Sequence, residues 1–303
     1  MDFSKFTFRC SSLGHIMQDP KGESNRQLYD RLKAELPQKQ YALGQCSERA
    51  VKTANKLYDE IELMELKIAS LENGNALDLP HLSDGCKTHL CDIYTVVKYG
   101  RTTDIKSKYL EKGLLLEEDA ITDYCKLTGE YHVKNSERRK NDWIEGEADI
   151  VGKDFIVDTK VNWDIFTFNR TVARPIKPLY WWQLDGYMWL WEKQRAELAY
   201  VLLNTPEHMI VREEKKLLYE LFGSDANYAA ADEIEKDRYR TACSDLRHNL
   251  IYDDIPLEER VRITNVTRSE ERIEKIKSRV EECRIWLNNF ANKKIDEDDS
   301  NGE

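Results

Sequence analysis

Apolar residues recur at alternating four- and three-residue steps at Ala50, Ala54, Leu57, Ile61, Met64, Ile68 and Leu71. That spacing predicts an amphipathic helix about three heptads long, stopped at Asn73-Gly74-Asn75. Before it, residues 27–36 read as a helix ended by Pro37, because proline lacks an N–H and crowds the preceding turn. A mainly helical stretch follows from about residue 82 to 127, interrupted near Gly100 and stopped by Gly129. The pattern then changes to strands at 144–151 and 154–161, joined by a turn at Gly152-Lys153. Pro175 and Pro178 break the chain, residues 180–191 read as an aromatic helix, and 197–204 read as a third strand stopped by Thr205-Pro206. From there the pattern predicts helices to the end. The last opens on a capping box, Thr267-Arg-Ser-Glu270, and buries Ile273, Ile276, Val280, Cys283, Leu287 and Phe290 on one face.

Helices around a central group of strands imply an α/β class. The reading divides the chain into an N-terminal helical region (1–80), a domain with C-terminal helices (81–292) and an acidic, disordered tail (293–303). With 41% hydrophobic and 34% charged residues, 303 residues suffice for a solid core under a strongly solvated surface. No apolar run reaches bilayer length and the start has no basic n-region, which points to the cytoplasm and away from membranes. The seven cysteines are scattered with no C-x-x-C pair, so reduced thiols are expected and an iron–sulfur cluster is not. A net charge of −10 argues against a wholly basic nucleic-acid surface, although residues 160–195 hold six basic side chains against three acidic ones.

Asp158 and Lys160 stand two apart in a strand, so they share a face with Ile156, while Phe155 and Val157 take the other. Two charges on a sheet are costly unless compensated in a cleft. The acid-x-lysine pattern also occurs at Asp19-Pro-Lys21, Glu65-Leu-Lys67, Asp104-Ile-Lys106, Glu213-Glu-Lys215 and Glu214-Lys-Lys216, so context must choose among the copies. Only Asp158-Thr-Lys160 lies in a clear strand with another acid, Asp149, across a short turn. Such a hairpin sets two carboxylates side by side, able to grip a hard divalent cation. Glu117, or its neighbour Glu118, supplies a third acid from an upstream helix, and Glu145 and Glu147 compete with Asp149 for the first position. Gln183 and Tyr187, four apart, share a helical face.

The ordered set Glu117, Asp149, Asp158-Thr-Lys160 and Gln183-Leu-Asp-Gly-Tyr187 resembles the motif series of PD-(D/E)XK nucleases, in particular the phage lambda exonuclease and RecB-like (YqaJ-type) branch. Lys112-Gly-Leu-Leu-Leu-Glu-Glu-Asp-Ala120 resembles the helix that carries the family glutamate, and 180–191 resembles its glutamine helix. Ala148 stands where the nominal proline would be, and Asp158 replaces the commoner glutamate. The resemblance covers roughly residues 82–206 and implies a restriction-endonuclease-like core, a central mixed β-sheet flanked by helices, with helical additions at both ends.

For function, the resemblance implies a metal-dependent DNA exonuclease running 5′-to-3′ on linear duplex ends in phage-type recombination. Mg²⁺ or Mn²⁺, one or two ions, would be held by Asp149, Asp158, the Thr159 carbonyl and Glu117. Lys160 would orient the attacking water, and Gln183 would position that lysine or the nucleotide beside the cut. Arg170, Arg174 and Tyr187 are the candidate DNA contacts, against the plainer readings of solvated charges and a core aromatic. A single-strand annealing protein and a trimeric homo-oligomer are the implied partners. Two competing readings are a RecB-like or CRISPR-adaptation-type nuclease cutting single strands or acting as an endonuclease, and a non-catalytic interaction protein working through its heptad helix.

Overall fold

The computed structural model describes residues 1–47, 50–73, 76–103 and 107–300, with 293–300 by backbone alone. Gly74-Asn75 of the expected helix stop, the Asp104-Ile105-Lys106 copy of the acid-x-lysine pattern and residues 301–303 of the expected tail lie outside the described residues. The chain forms two compact units, one of Met1–Phe6, His15–Arg101 and Ile276–Glu303, the other of Thr7–Gly14 and Thr102–Lys275.

In the first unit the heptad pattern is realised as the helix Val51–Glu72, whose Met64, Ile68 and Leu71 pack with Leu32 of the helix Asn25–Gly44. Its partner is thus the preceding helix of the same unit. Pro37 does not end that preceding helix. Contacts on both sides of the proline, Lys33 and Tyr29 with Glu72 before it and Lys39 with Glu60 after it, offset the missing hydrogen bond. The helix Asp84–Tyr99 meets the C-terminal helix at Tyr94 and Phe290, whose ring centroids lie 5.1 Å apart.

The second unit carries seven strands among the described residues: β1 (Phe8–Arg9), β2 (Arg139–Lys140), β3 (Ile144–Gly146), β4 (Ile150–Val151), β5 (Phe155–Asn162), β6 (Arg195–Leu202) and β7 (Val261–Thr267). They form a small sheet in the order β1-β3-β2 and a mixed sheet in the order β4-β5-β6-β7. In the mixed sheet β5 runs antiparallel to β4 and parallel to β6, and β7 is antiparallel to β6. Helices flank it, which is the expected central mixed sheet of an α/β core. Parallel pairing of β5 with β6 needs a crossover, and the helices Ile165–Val172 and Pro178–Leu190 supply it.

Three sequence expectations are corrected. The single strand expected over 144–151 is broken at Glu147-Ala148-Asp149, because Asn135 takes the local carbonyls: its N–H donates to Asp149 O at 2.8 Å and its Nδ2 to Ala148 O at 3.0 Å. Residues 261–267, expected to be helical, are β7, where Val261, Ile263, Thr264, Val266 and Thr267 are β-branched. Thr267 therefore pairs with Arg195, and the last helix, Glu270–Ser300, is capped by Ser269 Oγ, which accepts from Arg272 N–H at 3.2 Å. The backbone of this helix continues into the stretch expected to be a tail.

The two faces of β5 have different tasks. Phe155 and Val157 join Ala120, Ile121 and Tyr124 of the helix Glu117–Thr128 in the main core, with Ala199 and Val201 of β6. The opposite face, with Ile156, Asp158 and Lys160, meets the helix Pro178–Leu190. That helix lies close to β3 because Gly146 and Gly186 have no Cβ: one added to Gly146 would meet Cys10 Sγ and Tyr187 Cε1, both at 2.8 Å, and one added to Gly186 would meet Cys10 Sγ at 2.9 Å.

Candidate active site

The register of β4 on β5, with Ile150 opposite Val157, sets Asp149 opposite Asp158 one step further along. Thr159 fixes Asp149 in place, its N–H and Oγ1 donating to Asp149 Oδ2 at 2.6 and 2.8 Å. Asp158 is 2% exposed. Its Oδ1 accepts from Gln183 Nε2 at 3.1 Å, and its Oδ2 lies 2.6 Å from Lys160 Nζ. The same Gln183 amide donates to the Tyr187 hydroxyl at 3.0 Å, as the four-residue spacing foresees. Lys160 Nζ also stands 5.4 Å from the centre of the Tyr180 ring.

Burial, and then the charge of Asp158, push the Asp149 carboxyl up to about 6. Burial likewise raises Asp158, against the pull of Lys160, and Glu117 adds to the rise. Burial works to lower Lys160, but the charges of Asp158 and then Asp149 outweigh it and hold the ammonium above its ordinary value. Two acids raised by burial, Asp149 also by the charge of Asp158, with one cation 2.6 Å from Asp158, form a site with negative charge in excess.

Glu117 opens the helix Glu117–Thr128 and is half-buried, with Lys134 Nζ 3.2 Å from its Oε2. Its charge is felt at Asp158, whereas Glu118 is exposed. Glu147 is exposed and lies 3.6 Å from Arg138, and Glu145 lies 3.8 Å from the same arginine. The geometry thus brings together Glu117, Asp149, Asp158, Lys160 and Gln183. Gln183 reaches Asp158; of the two groups it was expected to position, Lys160 or the nucleotide beside the cut, the hydrogen bond is to neither.

Two further expectations resolve differently. Tyr187 is 4% exposed, packed against Trp191, so it has no face open to a base. Arg170 lies in the last turn of the helix Ile165–Val172 rather than in a loop, and both it and Arg174 are exposed. Sequence reasoning missed Tyr180 and Lys134. Tyr180 had a signal, since it stands three residues before Gln183 on the same helix.

The residues suit a hard divalent cation. Asp158 Oδ2 is buried and its contact is the Lys160 ammonium, 2.6 Å away. Among the described residues no three of His, Cys, Asp and Glu form a ready cage. Magnesium needs none, since it keeps several waters and takes one or two carboxylates.

Lys112, on the helix Lys108–Leu115 that leads to Glu117, is 1% exposed and donates from Nζ to Trp163 O at 2.7 Å. Burial, against the charge of Asp164, pushes its ammonium down to about 7 from 10.5. Between those values the unfolded chain binds a proton there that the folded chain does not, so stability rises with pH across this window. In urea titrations, the parent is expected to gain on Lys112→Met by up to about 1.4 kcal/mol per pH unit above neutrality. A difference that stays constant from pH 7 to pH 9 would contradict the buried ammonium.

The fold, a mixed sheet flanked by helices with Asp149 at the end of β4 and Asp158 and Lys160 on β5, is shared with a solved phage-related exonuclease. Among solved structures, the phage-related exonuclease from Haemophilus somnus 129PT matches with a TM-score of 0.60 and 24% sequence identity, over 95% of this chain and 96% of that one. The alkaline exonuclease LHK-Exo from Laribacter hongkongensis matches with a TM-score of 0.48 and 13% identity, over 71% of this chain and 87% of that one. No family model and no curated protein matches the sequence. Among the described residues no helix is long and apolar enough to cross a membrane.

Proposed function

We propose that this protein hydrolyses DNA phosphodiester bonds, as a 5′-to-3′ exonuclease on linear duplex ends that uses Mg²⁺ or Mn²⁺ and works in the cytoplasm. The observation that carries the reading is the meeting of Asp149 at the end of β4 with Asp158 and Lys160 on one face of β5 and Gln183 on the facing helix, with Asp158 Oδ2 buried beside the Lys160 ammonium. The fold shared with the Haemophilus exonuclease supports it.

Asp149 and Asp158 would hold the cation, helped by the Thr159 carbonyl, with Glu117 turned to a second ion or a bound water. A divalent cation there supplies Lewis-acid activation of water and neutralises charge on the phosphate. The remaining work falls to the chain. Lys160, kept protonated by its two acids, holds the attacking water and stabilises its developing negative charge. Gln183 clamps Asp158 Oδ1, so that Oδ2 keeps a fixed direction. The Tyr180 ring closes one side of the lysine.

An end-labelled linear duplex incubated with the protein and Mg²⁺ is expected to shorten from its 5′ ends, and a closed circular duplex to survive. Chelation by EDTA should abolish the reaction and added Mn²⁺ should restore it. Undiminished digestion in EDTA would remove the metal-dependent reading, and digestion of the circle would remove the exonuclease reading.

A further inference from the structure

We propose that residues 134–140, Lys-Asn-Ser-Glu-Arg-Arg-Lys, form a phosphate track for the DNA strand being cut, leading from the acids to a basic pocket beside β2; the proposal rests on the nuclease reading above. In a chain of net charge −10, this segment has four basic residues in seven and one acidic residue. Its placement distinguishes it from a merely solvated charge run. Lys134 lies on Glu117, and the next residue, Asn135, is fastened by its N–H and side chain to the backbone of Asp149 and Ala148. The segment then enters β2, with Arg139 opposite Gly146 and Lys140 opposite Glu145. At an extended rise of about 3.3 Å per residue, the path from Asn135 to Lys140 reaches at most roughly 17 Å, about five stacked nucleotide steps.

The track ends in a concave pocket of 540 Å³ whose charged lining is Arg138, Arg139, Lys140 and Arg268, with Glu192 as the one acid and Trp189 as an aromatic wall. Arg139 and Arg268 are forked onto Glu137 and Glu270, which are themselves exposed. Exposed pairs of this kind are weak, and a phosphate can take the place of the carboxylate with the fork already formed. Arg138 stands 3.6 Å from Glu147 and 3.8 Å from Glu145, and among the described residues Lys140 has no carboxylate partner. Cations held near Asp149 by backbone hydrogen bonds, along a line rather than around a point, suit a strand of successive phosphates.

The test is fluorescence anisotropy of a short fluorescein-labelled duplex in Ca²⁺ over a series of salt concentrations, comparing the parent with Arg138→Ala/Arg139→Ala/Lys140→Ala. Each lost phosphate contact should make the plot of log affinity against log salt shallower by about one, so the triple variant should lose about three and bind roughly a hundredfold more weakly near 0.1 M salt. Arg138→Lys/Arg139→Lys, which keeps the charge, should retain the parental slope, and the single exposed change Lys140→Ala should remove about one contact even if the triple variant melts early. A parent that digests duplex while the variants keep its slope and affinity overturns the track alone. A parent that binds with the expected slope, loses it in the variants and never cleaves overturns the nuclease reading and leaves the track. A parent that does not bind duplex overturns both.

Discussion

Lys160→Ala is expected to lower digestion of linear duplex by roughly 10²- to 10⁴-fold in Mg²⁺, the range by which one preorganised donor or proton-handling group contributes. The side chain is held between Asp158, 2.6 Å away, and the Tyr180 ring, so no neighbour can move into its place without leaving its own hydrogen bonds. Folding should survive, because the lysine is one quarter exposed and its removal leaves a carboxylate that the metal can still neutralise. Asp158→Asn should abolish cleavage comparably for a different reason. The amide keeps the shape and the Gln183 contact but loses the charge that holds the ion. Circular dichroism beside the digestion assay separates the two effects. A folded Lys160→Ala protein that degrades DNA at the parental rate would remove the lysine from the mechanism.

Arg272→Ala is expected to destabilise the protein by roughly 3 kcal/mol, the lower end for breaking a buried ion pair, because the arginine itself reaches solvent. Asp185 is 0% exposed and sits two residues after Gln183; it accepts from Ser269 N–H at 3.0 Å and pairs with Arg272. Burial raises its carboxyl above the ordinary value even with Arg272 beside it, so without the guanidinium a charge is stranded in the core. For a unit of this size that corresponds to a fall in melting temperature of roughly 6–12 °C. Asp185→Asn should cost less, since the amide oxygen still accepts from Ser269. Equal melting temperatures for the parent and Arg272→Ala would show that the pair holds nothing. The same change should weaken cleavage, because the helix that presents Gln183 to Asp158 loses its anchor.

Local register was more legible in the sequence than contacts between distant segments. Period-two patterning located β5, and a short turn after Asp149 sufficed to set that acid opposite Asp158, because antiparallel register follows from turn length. The spacing placed Gln183 and Tyr187 on one helical face, where a hydrogen bond joins them and burial keeps Tyr187 from solvent. Other features depend on contacts distant in sequence, which local pattern does not carry. The break at residues 147–149 arises because Asn135 captures two carbonyls. β7 has β-branched residues but no regular alternation around Arg262 and Asn265, and it pairs with the edge of β6, far from it in sequence. Pro37 is tolerated because a neighbouring helix grips both sides of it.

The strand that completes the sheet, β7, and the Ser269 and Arg272 anchor come late in the chain. From Gln183 to Thr267 there are 84 positions, about 4 to 17 seconds of synthesis at roughly 5–20 residues per second. Throughout that interval a growing polypeptide already contains every acid and the lysine of the site while the glutamine helix lacks its Arg272 anchor, and from Leu202 onward β6 also has an unpaired rim. An unpaired strand edge of this kind invites pairing with the same edge of another copy.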